Sequence, residues 1–321
     1  MKEEKTLIVD VDEMPSAPQW VFLSFQHVFA MFGATILVPM LTGFPVSVAL
    51  FASGIGTFIY TFCTKGKVPV YLGSSFAYIT AVILAVEAMG GDISAAQTGL
   101  ILVGLIYVAV AIIIKCVGKD WIDKLLPPIV IGPMIAVIGL GLAGNAVTNT
   151  GFVVDGDVAP MIIAIVTFLV AAFISSQAKG FLKIVVGYIL ALCFGIVDLS
   201  GVAKADWFSI PSFAFPFSMP DLFGTSFREY HFYFGPETLA ILPVAIVTIS
   251  EHIGDHTVLG KICGKNFLKN PGLDRTLIGD GVATAVSAFL GGPANTTYGE
   301  NTGVLELSKV HDPKVIRIAA L

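Results

Sequence analysis

From Met14 to Thr64 the chain runs without a single Lys, Arg, Asp or Glu. One crossing of the hydrocarbon layer needs roughly 20 apolar residues. A stretch of this length and composition therefore belongs in a bilayer and holds more than one crossing. The rest of the sequence agrees, with 13% of residues charged against roughly 25% in a soluble domain. A soluble enzyme is excluded, and the fold class to expect is an all-α polytopic membrane protein. The first 17 residues are polar and acidic, with no basic region leading into a short apolar stretch, so no cleavable signal is expected. Cys63, Cys116, Cys193 and Cys263 are scattered without CxxC spacing, so neither a metal site nor a cofactor is expected.

Charge and Pro/Gly punctuation divide the chain into ten apolar segments. They lie near 19–42, 45–64, 72–89, 96–115, 127–147, 158–177, 181–197, 236–256, 277–291 and 298–309. Threading them alternately gathers the N-terminal tail and every Lys and Arg except Lys204 and Arg228 on one side. The other side keeps Asp92, Asp155, Asp157, Asp198, Asp206, Asp221, Glu229 and Glu237. Basic loops stay inside, so the N-terminus is expected to be cytoplasmic and the protein to sit in the cell membrane. The one long loop, Asp198 to Pro236, contains "PSFAFPFSMPDLFG", read here as an interfacial segment rather than a ligand lid.

Segments three and ten are not plain helices. One begins "VPVYLGSSFAYI" and the other "GGPANTTYGENTGV", and in both Pro, Gly and hydroxyl residues precede the helical stretch. Such residues favour extended chain, which survives at membrane depth only inside protein or along a cavity. Each segment is expected to be a strand-like half joined to a half-helix, starting near Phe76 and near Gly299. The two run in opposite directions, so both helix N-termini point at one central place. Paired interruptions of this kind mark a transporter site between inverted repeats. Gln26–His27 in segment one and Glu251–His252 in segment eight add a second trace of symmetry. The expected organisation is a cytoplasmic tail at 1–17, a first repeat of seven segments plus the external loop at 18–235, and a truncated second repeat at 236–321. That last part holds segments eight to ten and the start of an eleventh. The chain reads as a piece of a 14-span protein that would not transport alone.

Glu251 lies inside segment eight, and Glu300 opens the half-helix of segment ten. A carboxylate at the bilayer centre costs at least about 2.5–3.5 kcal/mol, so these two are read as substrate or proton groups rather than structural ones. Asp255, one turn after Glu251, is either a second titrating group or a charge at the helix end. Glu87 and Glu306 lie near segment ends and carry no such weight. Two converging helix N-termini attract carbonyl oxygens or anions, while carboxylates attract N–H donors. A bare anion meets only the first demand, whereas a planar ring with alternating C=O and N–H groups meets both. Phe76 and Tyr298 are placed to stack on its faces. His27 and His252 are expected to make helix–helix hydrogen bonds.

"QHVFAMFGATILVP", "KGKVPVYLGSSFAYI", "SEHIGD", "NPGLDRT" and above all "NTTYGENTGV" resemble the nucleobase–ascorbate transporter family, with its bacterial uracil permeases nearest. The resemblance implies a core and a gate domain built from inverted seven-helix repeats, carrying uracil inward by proton symport. It implies that Glu251 and Glu300 bind the base, that the backbone at Phe76 and Gly299 supplies amide donors, and that Ser75, Phe76 and Tyr298 line the pocket. Proton coupling would involve Glu300, Glu251, Asp255 and His256. The expected partners are uracil or a related nucleobase, protons and the lipid bilayer, with a homodimer left open and no nucleic acid. Two departures stand out. Asp255 occupies the place where a similar bacterial uracil permease of the family has a histidine tied to proton coupling, with His256 one position later. The signature ends in Ser308–Lys309 instead of threonine and a basic residue. The alternatives are a xanthine or urate permease of the same family, which "YGEN" disfavours, and an anion exchanger of the same architecture, which the two glutamates oppose.

Overall fold

The computed structural model describes residues 9–11, 13, 16–118, 120–152, 158–175, 182–197, 200, 209–221 and 225–321. Lys2, Lys5, Lys119, Asp155, Asp157, Lys179, Asp198, Lys204 and Asp206, which carry part of the expected charge asymmetry, lie outside those residues.

Long apolar sequence becomes long helix, even through Pro39. α1 (Ala17–Thr42) and α2 (Val46–Cys63) come first. The first broken crossing follows: strand β1 (Leu72–Ser74), a tight helical turn at Phe76–Tyr78, and α3 (Ile79–Ala88). Then come α4 (Ser94–Val117), the short α5 (Asp120–Leu125), α6 (Pro128–Gly141), α7 (Ala143–Asn149), α8 (Val158–Ser175) and α9 (Leu182–Cys193). After the long loop run α10 (Pro236–Ile241), α11 (Val244–Cys263) and α12 (Leu273–Phe289). The second broken crossing is β4 (Asn295–Thr297) with α13 (Gly299–Ser308), and α14 (Pro313–Ala319) closes the chain.

Among the described residues, five helical stretches are long and apolar enough to cross a membrane: Trp20–Thr42, Val46–Cys63, Ser94–Val117, Ile129–Asn149 and Pro236–Cys263. α1 is inside out relative to a soluble helix. Ser24, His27 and Thr35 are buried, while Phe22, Phe25, Phe29 and Met40 are exposed, as suits a helix solvated by lipid. α4 and α12 approach closely at glycines: a Cβ on Gly104 or on Gly281 would strike the other residue's carbonyl oxygen. Small residues let helix backbones meet in this way inside a membrane.

Several boundaries differ from the sequence expectation. Segment eight, expected at 236–256, is broken at Leu242–Pro243 and then continues to Cys263. Pro243 has no N–H to bond the preceding turn. The extension past His256 follows from polar partners that the interior supplies to Asp255 and His256, so the helix need not end where polarity rises. Segment nine starts at Leu273 rather than 277, with Asp274 in its first turn and Arg275 donating to the Cys63 carbonyl at 3.4 Å. Segment five is interrupted at Leu142, between α6 and α7.

The chain divides into two compact units, Met1–Val137 with Pro211–Leu321, and Ile138–Ile210. In the second, α8 packs on α9, where Thr167 lies beside Gly187. In the first, the described part of the long loop before α10 is fastened down. β2 (Ala214–Phe215) pairs with β3 (Arg228–Glu229), and Phe213, Phe215, Phe217 and Phe227 form ring contacts with one another and with Phe289. The Ala214 amide donates to Leu290 O at 3.1 Å, and the Tyr230 hydroxyl donates to Phe289 O at 3.2 Å. The loop thereby caps the end of α12.

Candidate substrate site

The extended halves of the two broken crossings pair with each other. β1 and β4 run antiparallel, matching Leu72 with Thr297, Gly73 with Thr296 and Ser74 with Asn295. Flanking bonds extend the ladder: the Tyr298 amide donates to Tyr71 O at 3.1 Å and the Ser75 amide to Ala294 O at 2.9 Å. The outer edges of so short a sheet still need partners, which hydroxyl side chains on α2 and α12 and the backbone of α2 provide. Ser53 Oγ donates to Leu72 O at 2.7 Å, and the Leu72 amide donates to Thr57 Oγ1 at 3.0 Å. On the other edge Asn295 Nδ2 donates to Ala52 O at 2.8 Å, and the Thr284 hydroxyl donates to Asn295 O. These bonds make non-helical backbone tolerable away from water. Gly73 is required where it stands, because a Cβ there would enter the Tyr298 ring.

Beyond the strands the helices begin, with Ser75 and Tyr298 as extended caps that make no side-chain capping bond. The first amides of both half-helices are thus left for other acceptors. They open on a cavity of about 260 Å³ lined by Ser74, Phe76, Glu251, Asp255, Thr296, Thr297, Tyr298, Gly299 and Glu300. Asp255 Oδ2 accepts the Thr297 hydroxyl at 2.9 Å. Its other oxygen would lie 4.0 Å from a Cβ placed on Gly299, so the carboxyl group stands at the N-terminus of α13. Among the described residues, the buried Oε2 of Glu251, one turn earlier, has no hydrogen-bond partner, and the buried hydroxyls of Ser74 and Thr296 have none either. Glu300 sits on the first turn of α13 and is exposed.

Of the residues expected at the site, the cavity brings together Glu251, Glu300, Phe76, Gly299, Tyr298 and Asp255, but not Ser75 or His256. The Ser75 amide is committed to Ala294, and Ser74 takes the lining position instead. His256, about 100° around α11 from Asp255, is bonded to the Tyr60 hydroxyl. Tyr298 is less free than a stacking ring would be. Its hydroxyl is 3.1 Å from Thr35 Oγ1 and donates to Ser74 O at 3.1 Å, so it ties the second crossing to α1 and to the first crossing. His27 bonds Asn301 Nδ2 at 3.1 Å, and His252 bonds Asp280 at 2.9 Å, both between elements. The sequence marks Ser74, Thr296 and Thr297 only as hydroxyl residues that interrupt helix; that they line the cavity carries no sequence signal of its own.

Apolar helices long enough to span a bilayer, with two broken segments enclosing a polar cavity, define a multi-pass membrane transport protein. Comparison with known proteins gives the family. A profile described as "Permease family" matches residues 18–321. The chain is 48% identical to the uracil permease of Bacillus caldolyticus, over 98% of this chain and 72% of that protein. It is 43% identical to the uracil permease of Bacillus subtilis, over 99% of this chain and 74% of the relative. To the uracil permease of Paenibacillus larvae it is 41% identical, over 99% and 75% respectively. The chain belongs to this permease family, the nucleobase–ascorbate transporters, and is a transporter rather than an enzyme.

Proposed function

We propose that the protein carries uracil into the cell together with a proton, with its N-terminus cytoplasmic. The observation that carries the reading is the one cavity in which the N-terminal ends of both half-helices meet Glu251, Asp255 and Glu300. Free amides donate to the ring carbonyls of a pyrimidine, and carboxylates accept its N–H groups. Binding therefore rests on Glu251 and Glu300, on the Phe76 and Gly299 amides, and on the walls made by Ser74, Phe76 and Tyr298. Three carboxyl groups around one small space disfavour a bare anion as cargo. The names of the relatives point to the same substrate. Antiparallel pairing of β1 with β4 supports two crossings that enter from opposite faces, and so a fold of two inverted repeats at 18–235 and from Pro236 onward. Entry of a proton with each uracil follows from titratable carboxyl groups in direct reach of the cargo.

The test is uptake of labelled uracil by cells that lack their own carrier and express the complete protein. Uptake should be displaced by unlabelled uracil and not by xanthine, chloride or sulfate. Glu251→Gln should weaken uracil binding by about 10- to 100-fold, the loss expected for a charged hydrogen bond. Displacement by xanthine at equal concentration would move the assignment to the purine carriers, and sulfate-dependent flux indifferent to uracil would move it to anion exchange.

A further inference from the structure

At the end of α11 the chain reverses through Gly264, held at a φ of +65° that residues with a side chain rarely adopt. The connection that follows, "KNFLKNPG" at 265–272, meets the turn after α2, where Lys67 Nζ donates to Asn270 Oδ1 at 2.9 Å. Here lies a cavity of about 600 Å³ that shares no residue with the substrate cavity. Its lining is Lys67, Lys265 and Lys269, the amides Asn266 and Asn270, and Val11 with Phe267. No carboxylate belongs to that lining among the described residues. Lys265 and Asn266 also border a neighbouring cavity of about 370 Å³, where Lys261 adds a fourth ammonium group.

Both amides have committed their oxygens. Asn270 Oδ1 accepts Lys67 Nζ, and Asn266 Oδ1 accepts the Lys269 backbone amide at 3.1 Å. An ammonium group and a backbone N–H can only donate, so each amide is left with its Nδ2, again a donor. Three ammonium groups and two NH₂ groups thus form a wall that donates and does not accept. A carboxylate of the chain itself reaches this set: Asp10 Oδ1 lies 3.4 Å from Lys265 Nζ. The tail holds Asp10 there. The Val9 amide donates to Lys309 O at 3.2 Å, the His311 amide donates to Val9 O at 3.0 Å, and Val11 is buried with Leu259 and Leu305. Insertion topology explains why lysines collect on one side of a membrane protein. It does not explain three of them around one hollow, where like charges repel, nor two amides turned so that only donors remain.

We propose that this cavity binds a phosphate-bearing anion in competition with Asp10. A phosphate group offers three or more acceptor oxygens with its charge, enough to engage several donors at once, whereas a carboxylate offers two. The volume admits the phosphate together with the organic group it esterifies, so a soluble phosphate compound and a lipid headgroup share the required chemistry. The inference is independent of the cargo that the substrate cavity holds.

The experiment uses the complete protein in nanodiscs of phosphatidylcholine, titrated calorimetrically with inorganic pyrophosphate. The wild type should bind saturably, and Lys67→Gln and Lys269→Gln should each weaken binding by about 10-fold, the loss of one charge-assisted hydrogen bond. Asp10→Asn should tighten it by about 2- to 5-fold, the scale of one partly exposed ion pair, a gain that misfolding does not produce. Lys124→Gln, on α5 and outside the lining, should leave it unchanged. Native mass spectra of protein from discs that also hold phosphatidylglycerol distinguish the two sources. A bound lipid that pyrophosphate displaces assigns the site to a headgroup, and pyrophosphate bound without displacing lipid assigns it to a soluble compound. No saturable binding by the wild type overturns the site. So does an equal loss in Lys124→Gln, since diffuse attraction to a basic face responds to any of its lysines. Unchanged affinity in Asp10→Asn overturns the competition with the tail.

Discussion

Asp255 connects two elements through one carboxyl group: Oδ2 accepts the Thr297 hydroxyl, and Oδ1 lies beside Gly299. Thr297→Val removes the donor and should cost about 1–3 kcal/mol, the range for leaving a buried acceptor unsatisfied. The check is a lower thermal midpoint in detergent that Thr297→Ser restores. Gly73→Ala pushes a methyl group into the Tyr298 ring and should destabilise by about 1–3 kcal/mol, as overpacking does, measured by the same unfolding curve. At this scale the sequence was informative wherever a charge interrupted an apolar run. Glu251 and Glu300 stood out for that reason, and both line the cavity. Asp280 carried the same signal inside segment nine, yet it was overshadowed by Asp274 and Arg275 close by. The structure buries it completely. The clamp made by the Tyr298 hydroxyl was not legible, because its partners are remote in the chain and Tyr is ordinary in a membrane core.

α11 is the element on which the site depends. Tyr78 on the first crossing bonds Thr248 at 2.7 Å, and Thr297 on the second bonds Asp255, so one helix holds both broken segments at fixed depth. α12 supports it from behind and packs on α4 through glycines. Gly281→Val should force those two helices apart, displacing the hydroxyls of Thr284 and Ser287 that satisfy the second crossing. The expected outcome is loss of monodisperse protein on size exclusion, while Gly33→Val, where no atom lies within 4 Å of an added Cβ, leaves it unchanged. Pro, Gly and Ser/Thr clusters foretold where helix would give way to strand, near Phe76 and Gly299. That the two strands pair with each other lay beyond the sequence, since a three-residue strand carries no register. The length of α11 was underestimated for a related reason: its polar second half is buried by contacts that only the folded chain supplies.

At the scale of the molecule, the first two helices hold both broken segments. α1 reaches the second crossing through Thr35 and His27, and α2 satisfies the edge of the first through Ser53 and Thr57. Single cysteines introduced at Lys65 and at Asp92, in a background without the native thiols, should label from opposite faces of intact cells: Lys65 from the cytoplasm, Asp92 from outside. Labelling of both from one face would break the alternation on which the orientation rests. The most direct measurement is an experimental density map of the complete protein with uracil bound. Flat density should lie between the Phe76 and Gly299 amides on one side and the Glu251 and Glu300 carboxyl groups on the other. Uracil density elsewhere, or unbroken helix through residues 72–78 or 295–299, would contradict the account.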